Sequence, residues 1–185
     1  MKLNHFILIS IILISYESKN NYPFISKITN KIYLGSHLGS KDKLELKKLK
    51  ISHILVCGIN LKAYFPNNFK YKLLNVYDSS SEDIIKFMYE SLNFIKSSSN
   101  NVFVHCFSGK GRSASFVIAY LMYKERKNFN EIYKYVKQKR AIISPNQFFI
   151  EQLKTLDNYF QKSKYNLKGL KGMNYTLIEN WVNEH

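Results

Sequence analysis

The run Val102-Phe-Val-His-Cys-Phe-Ser-Gly-Lys-Gly-Arg-Ser113, continuing into Ala114-Ser-Phe-Val-Ile-Ala-Tyr-Leu-Met-Tyr123, decides the fold. Val102 to His105 reads as a very short strand, and Cys106 to Arg112 as a tight loop with two glycines. Ser113 to Tyr123 is apolar all round except at its start, the mark of a central, buried helix. A loop between a strand and a helix start brings successive backbone N–H groups to one point, making an anion cradle. The helix N-terminus adds its partial positive charge and unpaired donors there. Gly109 and Gly111 are expected to permit the backbone angles and close approach this needs. Arg112 forks two hydrogen bonds onto phosphate oxygens, as a Lys could not. Phe107, Ser108, Gly109, Lys110, Gly111 and Arg112 are thus expected to bind a phosphate. Cys106 sits at the base of the cradle. A thiol beside a helix N-terminus and an Arg ionises at neutral pH, and a thiolate held against phosphorus is a nucleophile. The same donors then hold the equatorial oxygens as charge redistributes.

Outward from this loop, elements alternate. Ile32 to Leu34 reads as a short strand stopped by Gly35, Lys41 to Lys50 as a surface helix, and His53 to Cys57 and Tyr71 to Tyr77 as strands. Asp78 to Asp83 is a polar loop ending in a helix-start signal. The next stretch places Ile85, Met88, Leu92 and Ile95 on one face of an amphipathic helix. Two further helices are predicted, near Asn130 to Lys139 and Asn146 to Phe160, with Pro145 at the start of the second. The alternation predicts an α/β fold: a central, mostly parallel sheet flanked by helices, with the phosphate-binding loop between a strand and the central buried helix. The boundaries expected are an N-terminal apolar segment 1–23, a domain 24–160 and a basic C-terminal tail 161–185 with one short amphipathic stretch around Leu177 to Val182.

The chain has 185 residues, 45% apolar and 15% aromatic, enough for one well-filled core and incompatible with a wholly disordered chain. Twenty-eight Lys and Arg against 13 Asp and Glu leave a net charge of +15, which favours anionic partners. The bland alternative is lysine spread over the whole surface. Lys124 to Arg140 is the densest basic run; it reads as a solvated helix face or as a surface for an acidic segment or an anionic lipid head group. Aromatics there are few, so no nucleic-acid surface is expected. The two cysteines, Cys57 and Cys106, are 49 positions apart with no His in metal-ligand spacing, so no metal and no disulfide scaffold are expected. A reduced, cytoplasmic compartment suits such cysteines. The apolar run Phe6 to Ser15 pulls the other way, toward a secretory signal or membrane anchor, though its ten residues fall short of the roughly 20 that span a bilayer.

His105, Cys106, Arg112 and Ser113 resemble the H-C-x5-R-[ST] signature of the cysteine-dependent protein tyrosine phosphatase superfamily. The wider chain is similar to its dual-specificity branch. Ile32-Tyr-Leu-Gly-Ser36 resembles that family's opening strand, and Ile118-Ala-Tyr-Leu-Met122 the helix behind its loop. Arg140 with Ser144-Pro-Asn-Gln-Phe-Phe-Ile-Glu-Gln-Leu153 resembles its R-x4-P-N-x-x-F-x-x-Q-L segment. The resemblance covers about residues 24 to 160. It implies a sheet of four or five strands, no metal or other cofactor, and hydrolysis of phosphotyrosine and phosphoserine or phosphothreonine in proteins by a monomer. Two positions depart from the pattern: many dual-specificity enzymes carry Ala and Ser where this chain has Ser108 and Gly111. The Gly109-Lys-Gly-Arg112 run instead resembles the tensin-homologue phosphoinositide phosphatases, although Phe107 replaces the second lysine of that loop. A phosphoinositide or other non-protein substrate is therefore the alternative, and an inactive phosphate-binding module the second.

Ester cleavage at neutral pH needs a proton for the leaving oxygen. Asp78, which closes a strand 28 positions before Cys106, matches the place where the resembled family keeps its acid. Asp83 and Glu82 are rivals in the same loop, Asp83 reading better as a helix cap. The resemblance gives His105 a supporting role, hydrogen-bonding the loop, where in isolation it reads as a core histidine. It makes Ser113 an assistant to the thiolate leaving group and Asn146 a buttress of the loop, beyond their readings as helix starts. Cys57 is either a small buried hydrophobe or, as in some relatives, a resolving thiol for oxidised Cys106.

Overall fold

The structure, a computed structural model, describes residues 22–185. The run Phe6 to Ser15 lies outside the described residues. The strands are Ile25–Lys27 (β1), Ile32–Ser36 (β2), Ile51–Cys57 (β3), Lys70–Leu74 (β4) and Asn101–Cys106 (β5). They form one sheet in the order β1-β2-β5-β3-β4, parallel throughout except for β1 against β2. This is the mostly parallel sheet expected. Val102, Val104 and Cys106 of β5 point into the larger core; Phe103 points into a smaller one with Tyr33, Leu46, Ile54 and Val56. A strand apolar on both faces needs cover on both and a neighbour on each edge, so β5 takes the centre.

The helices are Lys43–Lys48 (α1), Met88–Ser97 (α2), Arg112–Glu125 (α3), Phe129–Lys139 (α4), Gln147–Lys162 (α5) and Tyr175–Glu184 (α6). In α3, Ser113 to Met122 are all buried, as their composition requires. The predicted stripe Ile85, Met88, Leu92 and Ile95 is wholly buried, with Ile85 in a 3-10 turn leading into α2. Among the described residues no helix is long and apolar enough to cross a membrane.

Several boundaries differ from the sequence reading. Gly35 does not stop β2: the strand runs through it to Ser36, because the Phe24 carbonyl passes 2.1 Å from where a Cβ would sit, so only glycine fits under the start of β1. Strand β1 itself is too short to register as a pattern. The fourth strand ends at Leu74, not Tyr77, because its partner β3 ends at Cys57 and the Gly58 N–H donates to the Leu74 carbonyl. The surface helix expected over Lys41 to Lys50 is shorter, Lys43–Lys48, with Leu44 81% exposed and Leu46 buried.

The largest difference is at the C-terminus. Within the basic segment 161–185, the short amphipathic stretch expected around Leu177 to Val182 lies in a helix packed on the domain. A 3-10 turn, Leu167–Leu170, and then α6 return to the helical layer and bury Leu167, Leu170, Ile178 and Val182 in the same core as α5. Trp181 lies edge-on to Tyr159 with ring centroids 4.9 Å apart, and Lys162 Nζ donates to the Val182 carbonyl at 2.7 Å. Four spaced apolar residues suffice to fold the segment once α5 offers a surface. Ile178→Ala should therefore destabilise the domain by about 2–5 kcal/mol in urea unfolding, the cost of a core cavity; a loose tail would show no change beyond about 0.5 kcal/mol.

Candidate active site

All four parallel strands end at one edge of the sheet, and the Cys106–Arg112 loop leaves β5 at its centre. Each carbonyl of the loop is bound from outside. The Phe107 carbonyl accepts from the His37 N–H at 3.1 Å and from His37 Nδ1 at 2.9 Å. Arg140 Nη2 reaches the Ser108 carbonyl at 3.4 Å, and its Nε the Gly109 carbonyl at 3.0 Å. The Ser144 N–H holds Lys110, and the N–H and hydroxyl of Ser115 hold Gly111. In a trans peptide the N–H lies opposite the C=O. With the carbonyls tied outward, the N–H groups of residues 108 to 112 turn to the concave side. The first turn of α3 adds its own, since no side chain caps it.

Gly109 makes this curl possible. Its φ is +69°, and a Cβ there would stand 2.4 Å from the Gly35 carbonyl oxygen. Gly111 does not share that need: its φ is −100°, and a Cβ would meet Asp78 and the Ser144 carbonyl only at 3.5 Å or more. The expectation that both glycines serve the backbone is corrected to Gly109 alone.

Cys106 is buried, and its Sγ accepts from the Gly109 N–H and the Ser113 hydroxyl, both at 3.2 Å. Arg112 places Nη1 3.3 Å from the Val76 carbonyl and Nε 3.4 Å from Asp78 Oδ2, an ion pair in which the N–H is not aligned as a hydrogen bond. Asp78 Oδ1 lies 3.4 Å from Asn146 Nδ2. Asn146 also reaches the Ser79 carbonyl at 3.3 Å and caps α5 through the Phe149 N–H. Asn146 thus touches the loop of Asp78 and Ser79, not the cysteine loop; Ser144, two residues before it, does the latter. The rival carboxylates are engaged elsewhere: Glu82 with the Tyr77 N–H and Lys86, Asp83 with the N–H groups of Ile85 and Tyr175.

His105 lies wholly buried beneath the loop, with Nδ1 3.3 Å from the Cys106 carbonyl and its ring stacked on Phe103. Burial lowers its pKa to about 4, so it is neutral at pH 7 and contributes no charge to the cysteine. Cys57 ends the strand beside Cys106: Val56 is in register with His105, which puts the two cysteines on adjacent strand ends, in one core cluster. Burial holds the Cys57 thiol well above its ordinary pKa. Phe107, half-buried, stacks on His37 with centroids 4.4 Å apart. His37 left no mark in the sequence pattern, since its contact spans 70 positions. Arg140 did, within the R-x4-P-N segment, although its place behind the cradle did not follow from that.

The family model for the catalytic domain of dual specificity phosphatases matches residues 32–159. The chain belongs to the dual-specificity phosphatase family. Dual specificity protein phosphatase 1 of Arabidopsis thaliana is 37% identical over 147 residues, covering 78% of this chain and 73% of the relative. Protein-tyrosine-phosphatase MKP1 of the same plant is 42% identical over 132 residues, but those are 69% of this chain and only 17% of that protein. Among solved structures, human tyrosine phosphatase-like serine/threonine/tyrosine-interacting protein superimposes with a TM-score of 0.71 at 31% identity, over 74% of this chain and 97% of its own. DUSP15 gives 0.70 at 25%, over 87% and 96%.

Two outcomes follow from the cradle. Gly109→Ala should abolish competitive inhibition by orthovanadate, whereas Gly111→Ala should change it by no more than a few-fold. Since His105 is buried neutral, the unfolded chain binds a proton that the folded one refuses. Its contribution is whole above pH 6.5 and lost as the pH falls toward about 4. Burial also lowers the pKa of His37 and His53, so the limb is shared. In urea unfolding across that range, His105→Gln should lose stability less steeply than the wild type.

Proposed function

We propose that the chain hydrolyses phosphotyrosine and phosphoserine or phosphothreonine in proteins through a cysteinyl-phosphate intermediate. The observation that carries this is the approach of Asp78 to Arg112, 3.4 Å, at the mouth of a cradle whose floor is Cys106. The phosphate sits in the loop of Phe107, Ser108, Gly109, Lys110, Gly111 and Arg112, among the inward N–H groups of residues 108 to 112, with the Arg112 guanidinium on two of its oxygens. The Cys106 thiolate attacks phosphorus, forming the S–P bond as the P–O bond to the side chain breaks. Asp78 gives its proton to the departing oxygen. Water then enters opposite the sulfur; Asp78 takes its proton, the S–P bond breaks, and inorganic phosphate leaves. The Ser113 hydroxyl supports the departing thiolate, and His105 supports the loop from below. Asn146 orients Asp78.

Substrate class follows from depth. A recognition loop that deepened the pocket for phosphotyrosine alone would lie near the domain's start, ahead of β2. Here four residues, 28 to 31, separate β1 from β2, a length that supports a shallow site. The relatives named above as protein phosphatases support protein substrates. Lys110, at the edge of the cradle, favours the second reading, a phosphoinositide or other ester with a further negative group. Cys57, by its place beside Cys106, is proposed as the thiol that captures an oxidised nucleophile; adjacent strands lie about 4.7–4.9 Å apart, within disulfide reach.

A turnover panel of phosphotyrosine and phosphothreonine peptides, inositol phospholipids and an aryl phosphate tests the assignment. Cys106→Ser should abolish turnover yet bind phosphate mimics, and Arg112→Lys should be nearly as damaging. Asp78→Asn should cost about 10²–10⁴-fold on esters with poor leaving groups and far less on good ones. Faster turnover of lipids than of peptides, with Lys110→Ala impairing lipids alone, would overturn the protein reading. No turnover of any ester would leave a binding module.

A further inference from the structure

Asp83 carries a carboxylate in the acid loop that the proposed chemistry does not use. Its Oδ1 accepts from the Ile85 N–H at 2.8 Å and its Oδ2 from the Tyr175 N–H at 2.8 Å. Tyr175 is the first residue of α6, and the amides of a helix's first turn have no partner within the helix. One carboxylate therefore bridges the starts of two helical segments, the turn leading into α2 and α6, where a negative charge is favoured. Tyr175 also sets its ring edge-on to Phe148 of α5, with centroids 5.4 Å apart. The rest of α6 cannot drift, because Ile178 and Val182 are buried and Trp181 packs on Tyr159.

The loop is held from several sides. Asn146 grips Asp78 and Ser79 at its start. Gln152 of α5 accepts from the Ile84 N–H at 2.7 Å and donates to the Glu82 carbonyl at 2.9 Å. The Glu82 carboxylate returns to the Tyr77 N–H at 2.8 Å, closing residues 77 to 82 into a ring. Asp83 is the point at which this ring meets residues beyond 159, where the family match ends.

We infer that the C-terminal segment is a positioning element for the acid loop: α6, through the Tyr175 N–H on Asp83, fixes the loop that presents Asp78 to the leaving oxygen. Asp83 and Tyr175 are positioning residues. The inference rests on the reading of Asp78 as the general acid. A shift of the loop by a fraction of an ångström would spare nucleophilic attack, which depends on the cysteine loop, and would weaken proton delivery.

The test uses the full chain and separates the amide from the ring. Asn174 has φ −123° and ψ −179°, the extended conformation favoured before proline, and the first helical position accepts proline well. Tyr175→Pro thus deletes the N–H, while Tyr175→Ala deletes only the ring. With an aryl phosphate of poor leaving group, kcat/KM of Tyr175→Pro should fall about tenfold below that of Tyr175→Ala, a fraction of the 10²–10⁴-fold due to losing the acid itself. kcat/KM reports the phosphorylation step alone, free of the later hydrolysis in which Asp78 acts as base. With a good leaving group the two variants should agree in kcat/KM within about two-fold, and the basic limb of the kcat/KM–pH profile should flatten only in Tyr175→Pro. Equal kcat/KM of the two variants, or an equal loss of kcat/KM on both esters, overturns the inference. Asp78→Asn measured alongside separates the readings: without a leaving-group dependence there, the acid assignment falls and this inference with it. With one there but none in Tyr175→Pro, only this inference falls. If Tyr175→Pro does not fold, Asp83→Ala, which removes the acceptor of the Tyr175 N–H, is measured on the same two esters. A kcat/KM equal to that of the wild type, or an equal loss on both esters, overturns the inference as well.

Discussion

Five consecutive peptide carbonyls, those of Phe107 to Gly111, point away from the anion cradle, and each is held there by a donor from another part of the chain. Everything about the site depends on this. A seven-residue loop left to itself has many conformations, and fixing each residue costs about 1–2 kcal/mol of backbone entropy. That entropy is offset by bonds to His37 after β2, Ser115 in α3, and Arg140 and Ser144 between α4 and α5, which enclose the loop. An anion entering the cradle then meets donors already oriented, and no reorganisation is needed as charge moves during phosphoryl transfer.

Arg140 has the largest share in this. It is 2% exposed, yet spreads its guanidinium over the carbonyls of Ser108 and Gly109 behind the loop and of Pro23 at the entry to β1, and over the Ser26 hydroxyl. A buried cation is costly unless its donors are used, and here they tie the cradle to the sheet edge. The same positive charge, a few ångströms behind the phosphate site, adds to the field of Arg112 and of the α3 N-terminus.

The acid loop is built separately. It hangs from α5 through Asn146 and Gln152, and from α6 through Asp83, while the cysteine loop hangs from β2, α3 and the residues before α5. Across the site the two meet at Arg112, which reaches both Asp78 and the Val76 carbonyl. The stretch from Ser144 to Asn146 holds both, Ser144 the cradle and Asn146 the loop of Asp78.

What the sequence determined by itself is the local part. The strand, the curl and the buried helix from Val102 to Tyr123, with Cys106 and Arg112 at the two ends of the curl, are set by short-range pattern, because apolar periodicity and a positive-φ glycine act between neighbours. The parallel sheet followed from the same alternation. Tertiary structure decided what local pattern does not carry. Gly35 reads as a stop but is a crossing point; Gly111 reads as essential but is not; Asn146 serves the acid loop. His37 finds Phe107, and Tyr175 finds Asp83, across 70 and 92 positions. The segment after Phe160 reads as a tail because its few apolar residues are too sparse to bury one another. It folds because α5 already presents the surface that buries them.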